Sequence, residues 1–346
     1  MQAGVLFLPS GYVNMRAVFE LPFTFIWIVG GRGTGKTYGA LEYLLESNTR
    51  FMLLRRTASQ AQIVQNPAMT PIKSVVNDHG WKYTVAPVVK GIGGIYEYQN
   101  TDGKDELIYP AAGYIASLST FANIRGFDAS DIDAIFYDEF IKEEHEKGMK
   151  GEADALLNAY ETMNRNRELQ GRKPIKMVAA SNSTDLANPY FVRLGLVTEF
   201  ERMRQKGQMV RELPDRDTCI IDLQHSPISE QKRDTALYRM ARNTEFASMA
   251  LDNAFGVDLG QYKSKSLKEY KPMLAVGELV VYRHKSRQEF YISPHRSGNP
   301  PYYGTSKQEL TRFRLQNRWL VAAYINQQIS FESYFCEALL CQYLKY

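Results

Sequence analysis

Gly30-Gly31-Arg32-Gly33-Thr34-Gly35-Lys36-Thr37 satisfies the pattern G-x-x-x-x-G-K-[ST]. Each residue type in it has a physical task. The glycines let the backbone curl, so that its N–H groups and the positive end of a following helix face a polyphosphate. Lys36 has the reach for β- and γ-phosphates, and the Thr37 hydroxyl can ligate Mg²⁺. The flanks agree with this chemistry. Residues 23–29 (FTFIWIV) are apolar, β-branched and aromatic, as a buried strand requires. Tyr38, Leu41, Leu44 and Leu45 then recur on one helical face. Strand, glycine loop and helix in this order predict a nucleoside triphosphate site formed by residues 30–37.

A second segment supplies what the loop lacks. Residues 132–140 (IDAIFYDEF) read as an apolar strand ending in two adjacent carboxylates. Asp138 is expected beside the Mg²⁺ shell, through a water or through Thr37. Glu139 can polarise the attacking water, a general-base task best served by a partly desolvated carboxylate. A glutamate next to the magnesium aspartate suits ATP-hydrolysing motors, in which a further strand lies between the loop strand and the acidic strand. No base-reading Asn-Lys-x-Asp segment is present, so ATP is preferred to GTP. The strand at 174–180 is the natural third element. Asn182 at its tip can hydrogen-bond the water or the γ-phosphate, or can simply end the strand in an Asx-turn. Arg32, inside the loop, is placed to touch the γ-phosphate or a neighbouring subunit. Arg165 and Arg167 are candidates for an arginine finger donated in trans.

The elements that must position these groups alternate along the chain. Residues 50–56 read as a second strand ending in Arg55-Arg56, and residues 58–79 as helix broken at Pro67 and Pro71. A β-rich insertion follows, with strand-like runs at 82–85, 94–98 and 106–109 and a turn at Asn100-Thr101-Asp102-Gly103. Helix is expected from about 143 to 169. Strands alternating with helices predict an α/β fold with a parallel sheet covered on both faces. Past residue 186 the pattern changes. Residues 201–217 are dense in charge and read as a linker or exposed helix, 229–256 as helical, and 272–293 as an antiparallel pair. An amphipathic helical region starts near Lys307. The expected division is an ATPase domain over 1–200, a linker or helical connection over 201–258, and a smaller α+β domain over 259–346.

Composition bounds the function classes. The 346 residues, 44% hydrophobic and 12% aromatic, suit a globular protein with two cores. A net charge of +4 permits a polyanionic partner without demanding one. Three cysteines without a C-x-x-C pair and five scattered histidines predict reduced thiols and no zinc site. No apolar run is long enough for a membrane span, and the N-terminal VLFL patch lacks the features of a signal sequence. A cytosolic protein is expected.

Taken together, these segments resemble the DNA-packaging (encapsidation) ATPases of small podovirus-type tailed phages, short-chain relatives of the large terminases. The resemblance rests on GRGTGKT at 31–37, FMLLRR at 51–56, FYDEFI at 136–141, and ASNS at 180–183 followed by NPYF at 188–191. It implies an N-terminal ATPase of the additional-strand, catalytic-glutamate class, using ATP and Mg²⁺. It implies a homo-oligomeric ring around double-stranded DNA, docked transiently on the portal of an empty procapsid in the cytoplasm of an infected bacterium. Trans-acting arginines are implied too, and Arg165 and Arg167 lie where the family places one. Loops gripping DNA phosphates need basic tips, for which Arg55, Arg56, Lys90 and Lys104 are the candidates.

The resemblance also implies a C-terminal RNase H-like domain that no longer cleaves. The strand that should open it, residues 273–282, holds only Glu278 as a carboxylate. From Lys263 to Trp319 there are instead twelve Lys or Arg against four Asp or Glu, with tyrosines interleaved. That mixture suits a nucleic-acid backbone, DNA or a structural packaging RNA, with Arg283, Lys285 and Arg287 as contacts. Two rival readings stay open from sequence: a large-terminase-type ATPase with an active metal-dependent nuclease, and a nucleotide-gated assembly switch.

Overall fold

A computed structural model describes residues 6–121, 129–142, 146, 148–182, 188–223, 226–242, 244 and 262–344. The chain forms two compact units. One comprises Met1–Asp185 with Met203–Gly256, the other Leu186–Arg202 with Val257–Tyr346.

The first unit is built on a nine-stranded sheet. Its strands are β1 (Phe25–Val29), β2 (Phe51–Arg55), β3 (Tyr83–Val89), β4 (Ile92–Thr101), β5 (Lys104–Ser117), β6 (Ala134–Asp138), β7 (Lys176–Ser181), β8 (Val210–Leu213) and β9 (Thr218–Asp222). They lie in the order β3-β4-β5-β2-β6-β7-β1-β9-β8. The six central strands, β5 to β9 in that order, are mutually parallel. Their burial is nearly continuous because both faces are covered, which is why β1, β2, β6 and β7 read as unbroken apolar runs. The loop strand β1 and the acidic strand β6 are separated by β7, the arrangement expected for the catalytic-glutamate class. Leu41, Leu44 and Leu45 of the helix Lys36–Glu46 bury against this sheet with Ile26, Ile28, Phe51 and Phe136.

Two differences from the sequence reading have clear causes. The insertion is a long hairpin, and its second strand does not stop at 109. Beyond Pro110, β5 runs on to pair with β2 in parallel, from Phe51↔Gly113 to Arg55↔Ser117. Proline and glycine in PAAGY mask that strand, yet a side chain at Gly113 would meet the Phe51 carbonyl at 2.9 Å. The charged stretch 201–217 is also not a plain linker. It finishes the helix Val197–Gln205 and supplies β8, paired antiparallel with β9 at the sheet edge, where charge is tolerated.

The second unit carries a five-stranded sheet. Its strands are β10 (Tyr270–Val276), β11 (Leu279–His284), β12 (Phe290–Ser293), β13 (Tyr302–Tyr303) and β14 (Ile329–Phe331), in the order β13-β10-β11-β12-β14. β10 to β12 form an antiparallel meander, and β13 and β14 add in parallel at opposite edges. Ala275, Val280, Tyr282 and Tyr291 form its core. With the helices Lys307–Gln316, Trp319–Ile325 and Tyr334–Leu344 it is an α+β unit. Glu278 falls in the turn between β10 and β11. No described helix is long and apolar enough to cross a membrane.

Candidate active site

Parallel register brings the chemistry-bearing residues to one edge of the large sheet. Val29 is level with Ser181, and Asp138 with Ala180, so Gly30, Glu139 and Asn182 follow their strands at the same height. Gly30 N–H donates to the Ser181 carbonyl at 3.1 Å, which fixes the start of the loop against β7. Gly33 and Gly35 have φ of 65° and 91°, left-handed backbone that residues with a Cβ rarely adopt. Gly35 is the N-cap of the helix Lys36–Glu46, so the helix N-terminus opens directly into the loop. Thr34 is buried, and its hydroxyl donates to the Gly31 carbonyl at 3.1 Å.

The Lys36 ammonium is buried inside this curl. It donates to the Gly30 and Gly31 carbonyls at 3.0 and 2.8 Å and to Thr34 Oγ1 at 3.0 Å. Burial draws its pKa down to about 7. Asp138 and Glu139 oppose that shift, and a second lysine, Lys232, adds to it. The Thr37 hydroxyl donates to Asp138 Oδ1 at 3.0 Å, joining the loop to the tip of β6.

At Glu139 the chain leaves β6 through left-handed backbone, with φ 56°. For a residue with a Cβ this costs about 1 kcal/mol. Its Oε1 accepts from Asn182 Nδ2 at 3.4 Å, and its Oε2 from Arg55 at 2.9 Å. Arg55 also pairs with Asp138 Oδ2, so one guanidinium spans both carboxylates. Glu139, Asn182, Asp138, Thr37 and Lys36 are thus gathered at one sheet edge.

Other residues go elsewhere. Arg55 and Arg56, read as basic tips for DNA, both turn inward. Arg55 serves the acidic pair. Arg56 is only 1% exposed and pairs with Glu146 at 2.7 Å and with Glu152 at 3.6 Å, so it offers nothing to a phosphate. Lys90 and Lys104 are exposed at the turns of the β3-β4-β5 insertion. Arg167 is buried, pairing with Asp133 at 2.7 Å and donating to the Ser130 carbonyl at 3.3 Å. Arg165 is exposed at the end of the helix Glu152–Asn164, with φ 48°. Arg32 is exposed. In the second unit Arg283, Lys285 and Arg287 are exposed, with Arg287 3.7 Å from Glu289. Among the described residues, no group of three or more His, Cys, Asp or Glu could hold a metal ion.

Sequence reasoning missed three neighbours of the loop. Val13 N–H donates to the Thr34 carbonyl at 2.9 Å, and the Tyr12 ring lies against Gly35. Lys232 Nζ donates to the Arg32 carbonyl at 2.5 Å. Neither the lead-in nor the helix Pro227–Lys232 carries a pattern that pointed to the site. Arg55 could have been found from strand alternation, which sends Arg55 and Arg56 to opposite sides.

The chain is 27% identical over 256 residues to the DNA packaging protein of Bacillus phage B103, covering 72% of this chain and 70% of that protein. It shares a fold with the bacteriophage Phi-29 viral genome packaging motor assembly, with a TM-score of 0.67, 19% identity and coverage of 96% of this chain and 98% of that one. The Phi-28 gp11 DNA packaging motor is similar at a TM-score of 0.65 and 18% identity, over 97% and 98% of the two chains. The sequence pattern of the podovirus DNA encapsidation proteins matches residues 10–287, from ahead of β1 to the turn after β11. On that match, the chain belongs to the podovirus DNA encapsidation protein (Gp16) family.

Proposed function

We propose that this DNA encapsidation protein hydrolyses ATP at residues 30–37 and uses each cycle to drive double-stranded DNA into a preformed capsid. The observation that carries the reading is the convergence of Thr37, Asp138, Glu139 and Asn182 at one sheet edge, beside a buried lysine in a glycine loop. The residues fit a magnesium nucleotide. Gly33 and Gly35 hold the loop open through positive φ, and the Lys36 donors now spent on two carbonyls and a hydroxyl can turn to phosphate oxygens. Thr37 and Asp138, already hydrogen-bonded to each other, would hold Mg²⁺ between them. The bound magnesium nucleotide supplies a γ-phosphoryl group whose charge the metal partly neutralises. Glu139 then accepts the proton of the attacking water, and the Asn182 amide orients that carboxylate. Arg55, paired with both carboxylates, holds them in place beside the loop.

The further parts of the proposal concern assembly. We take the working form to be a homo-oligomeric ring docked on the capsid portal in the infected bacterial cytoplasm, with Arg165 reaching a neighbour's nucleotide. The exposed Lys90, Lys104, Arg283, Lys285 and Arg287 are the candidates for nucleic-acid phosphates, the last three for DNA or a structural RNA. The experiment compares Glu139→Gln with Lys36→Ala. Glu139→Gln should keep nucleotide binding and lower steady-state hydrolysis by about a hundredfold or more, whereas Lys36→Ala should lose binding. Unchanged hydrolysis in Glu139→Gln would favour a nucleotide-gated switch. Metal-dependent cutting of plasmid DNA by the purified protein would favour a terminase-type nuclease.

A further inference from the structure

A second lysine sits on the phosphate loop. Lys232 ends the helix Pro227–Lys232, on the segment that follows β9. Its ammonium donates to the Arg32 carbonyl and rests on the bare Cα of Gly33, where a side chain would collide with it. Among the described residues no carboxylate pairs with it. Its segment is fastened to the loop at two further glycines. Leu223 packs on Gly30, leaving 2.7 Å for a Cβ there, and Pro227 and Ile228 pack on Gly11 of the lead-in, whose Val13 bonds the loop. The position is therefore built and not a chance approach of a flexible chain. Two ammonium groups, Lys36 and Lys232, thus share one loop. Such a pair is stabilised when a polyanion lies between them.

The position along the loop says which part of the polyanion. Lys36 reaches for β- and γ-phosphates, and its Nζ lies at the Gly30 and Gly31 carbonyls. That end of the loop is the terminal-phosphate end, and Arg32 and Gly33 come next. We infer that Lys232 is a second phosphate-binding lysine, acting in cis, which exchanges the Arg32 carbonyl for a terminal phosphate oxygen and so reports ATP rather than ADP to the segment after β9. The inference rests on the phosphate-loop reading above.

The test measures binding of ATP and ADP to Lys232→Gln, Lys232→Arg and Lys36→Ala, each first checked for folding by circular dichroism. A second readout is independent of turnover: labelling of lysines by an amine-reactive reagent, with and without inorganic tripolyphosphate, read by mass spectrometry. Lys232→Gln should weaken ATP by about tenfold or more, the scale of one lost charge-assisted hydrogen bond, and ADP much less. Lys232→Arg should recover most of the loss, and tripolyphosphate should protect Lys232 from labelling. Unchanged ATP affinity in Lys232→Gln, with Lys36→Ala defective, would overturn the role of Lys232 and leave the phosphate-loop reading intact. Normal binding in both variants would overturn both. Equal losses for ATP and ADP, without protection of Lys232, would also overturn it, as a structural role.

Discussion

At the scale of single residues, the charge state of Lys36 matters most. Burial lowers its pKa from 10.5 to about 7, although Asp138 and Glu139 pull the other way. A lysine whose pKa falls on folding weakens the fold wherever it must stay charged. That penalty is full below about 7 and fades as the pH rises towards 10.5. Phosphate oxygens beside the ammonium reverse the shift. Adding magnesium ATP at about pH 8.5, between the two values, should therefore draw in close to one proton per site. Calorimetry in buffers of different ionisation enthalpy measures this directly, and Lys36→Met should lose most of the uptake. A binding event that releases protons, or none in wild type, would mean that Lys36 is already fully charged in the loop.

At the scale of elements, β2 shows how one strand can carry two tasks. Alternation along its end sends Arg55 to Asp138 and Glu139 and Arg56 to Glu146 and Glu152. Glu146 in turn accepts from Gln60, so Arg56 binds β2 to the helices Ala58–Val64 and Glu152–Asn164. Burial raises the pKa of Glu152, and Arg56 opposes that rise. Removing the arginine strands a buried acid, so Arg56→Ala should cost about 3–5 kcal/mol. Urea unfolding would measure that cost, with little change in DNA affinity per folded molecule. A DNA-contacting arginine would show the opposite pattern. The same strand shows what was legible in the sequence. The loop, the acidic pair and Asn182 could be read because each ends an apolar strand, and parallel strands deliver their ends to one edge. The partners of Arg55 and Arg56 could not, because a basic pair looks alike whether it faces solvent or a buried carboxylate. Lys232 was illegible for a simpler reason: about two hundred residues separate it from the carbonyl it bonds.

At the scale of the whole molecule, the question is which arginine can serve another subunit. Arg167 is committed to Asp133, the residue just before β6, and Asn164 accepts from Ile175, just before β7. The segment 164–167 therefore lies at the opening end of these strands, whereas Glu139 and Asn182 follow their closing ends. Five residues of strand put about 16 Å between the two edges. Arg165 cannot cover that distance to its own site, and it is exposed. For the trans finger proposed above, Arg165 is the better candidate of the two, because it is exposed and Arg167 is buried. In a ring with head-to-tail interfaces, an Arg165→Ala subunit keeps an intact loop and a Lys36→Ala subunit keeps an intact finger. An equal, random mixture leaves one interface in four with both, so up to about a quarter of wild-type hydrolysis should return if sites act independently. Arg167→Ala should instead unfold more easily, because Asp133 loses its partner and the turn at Ser130 loses a donor. If mixed rings are verified by mass and hydrolysis stays at the level of the separate variants, Arg165 is not the finger.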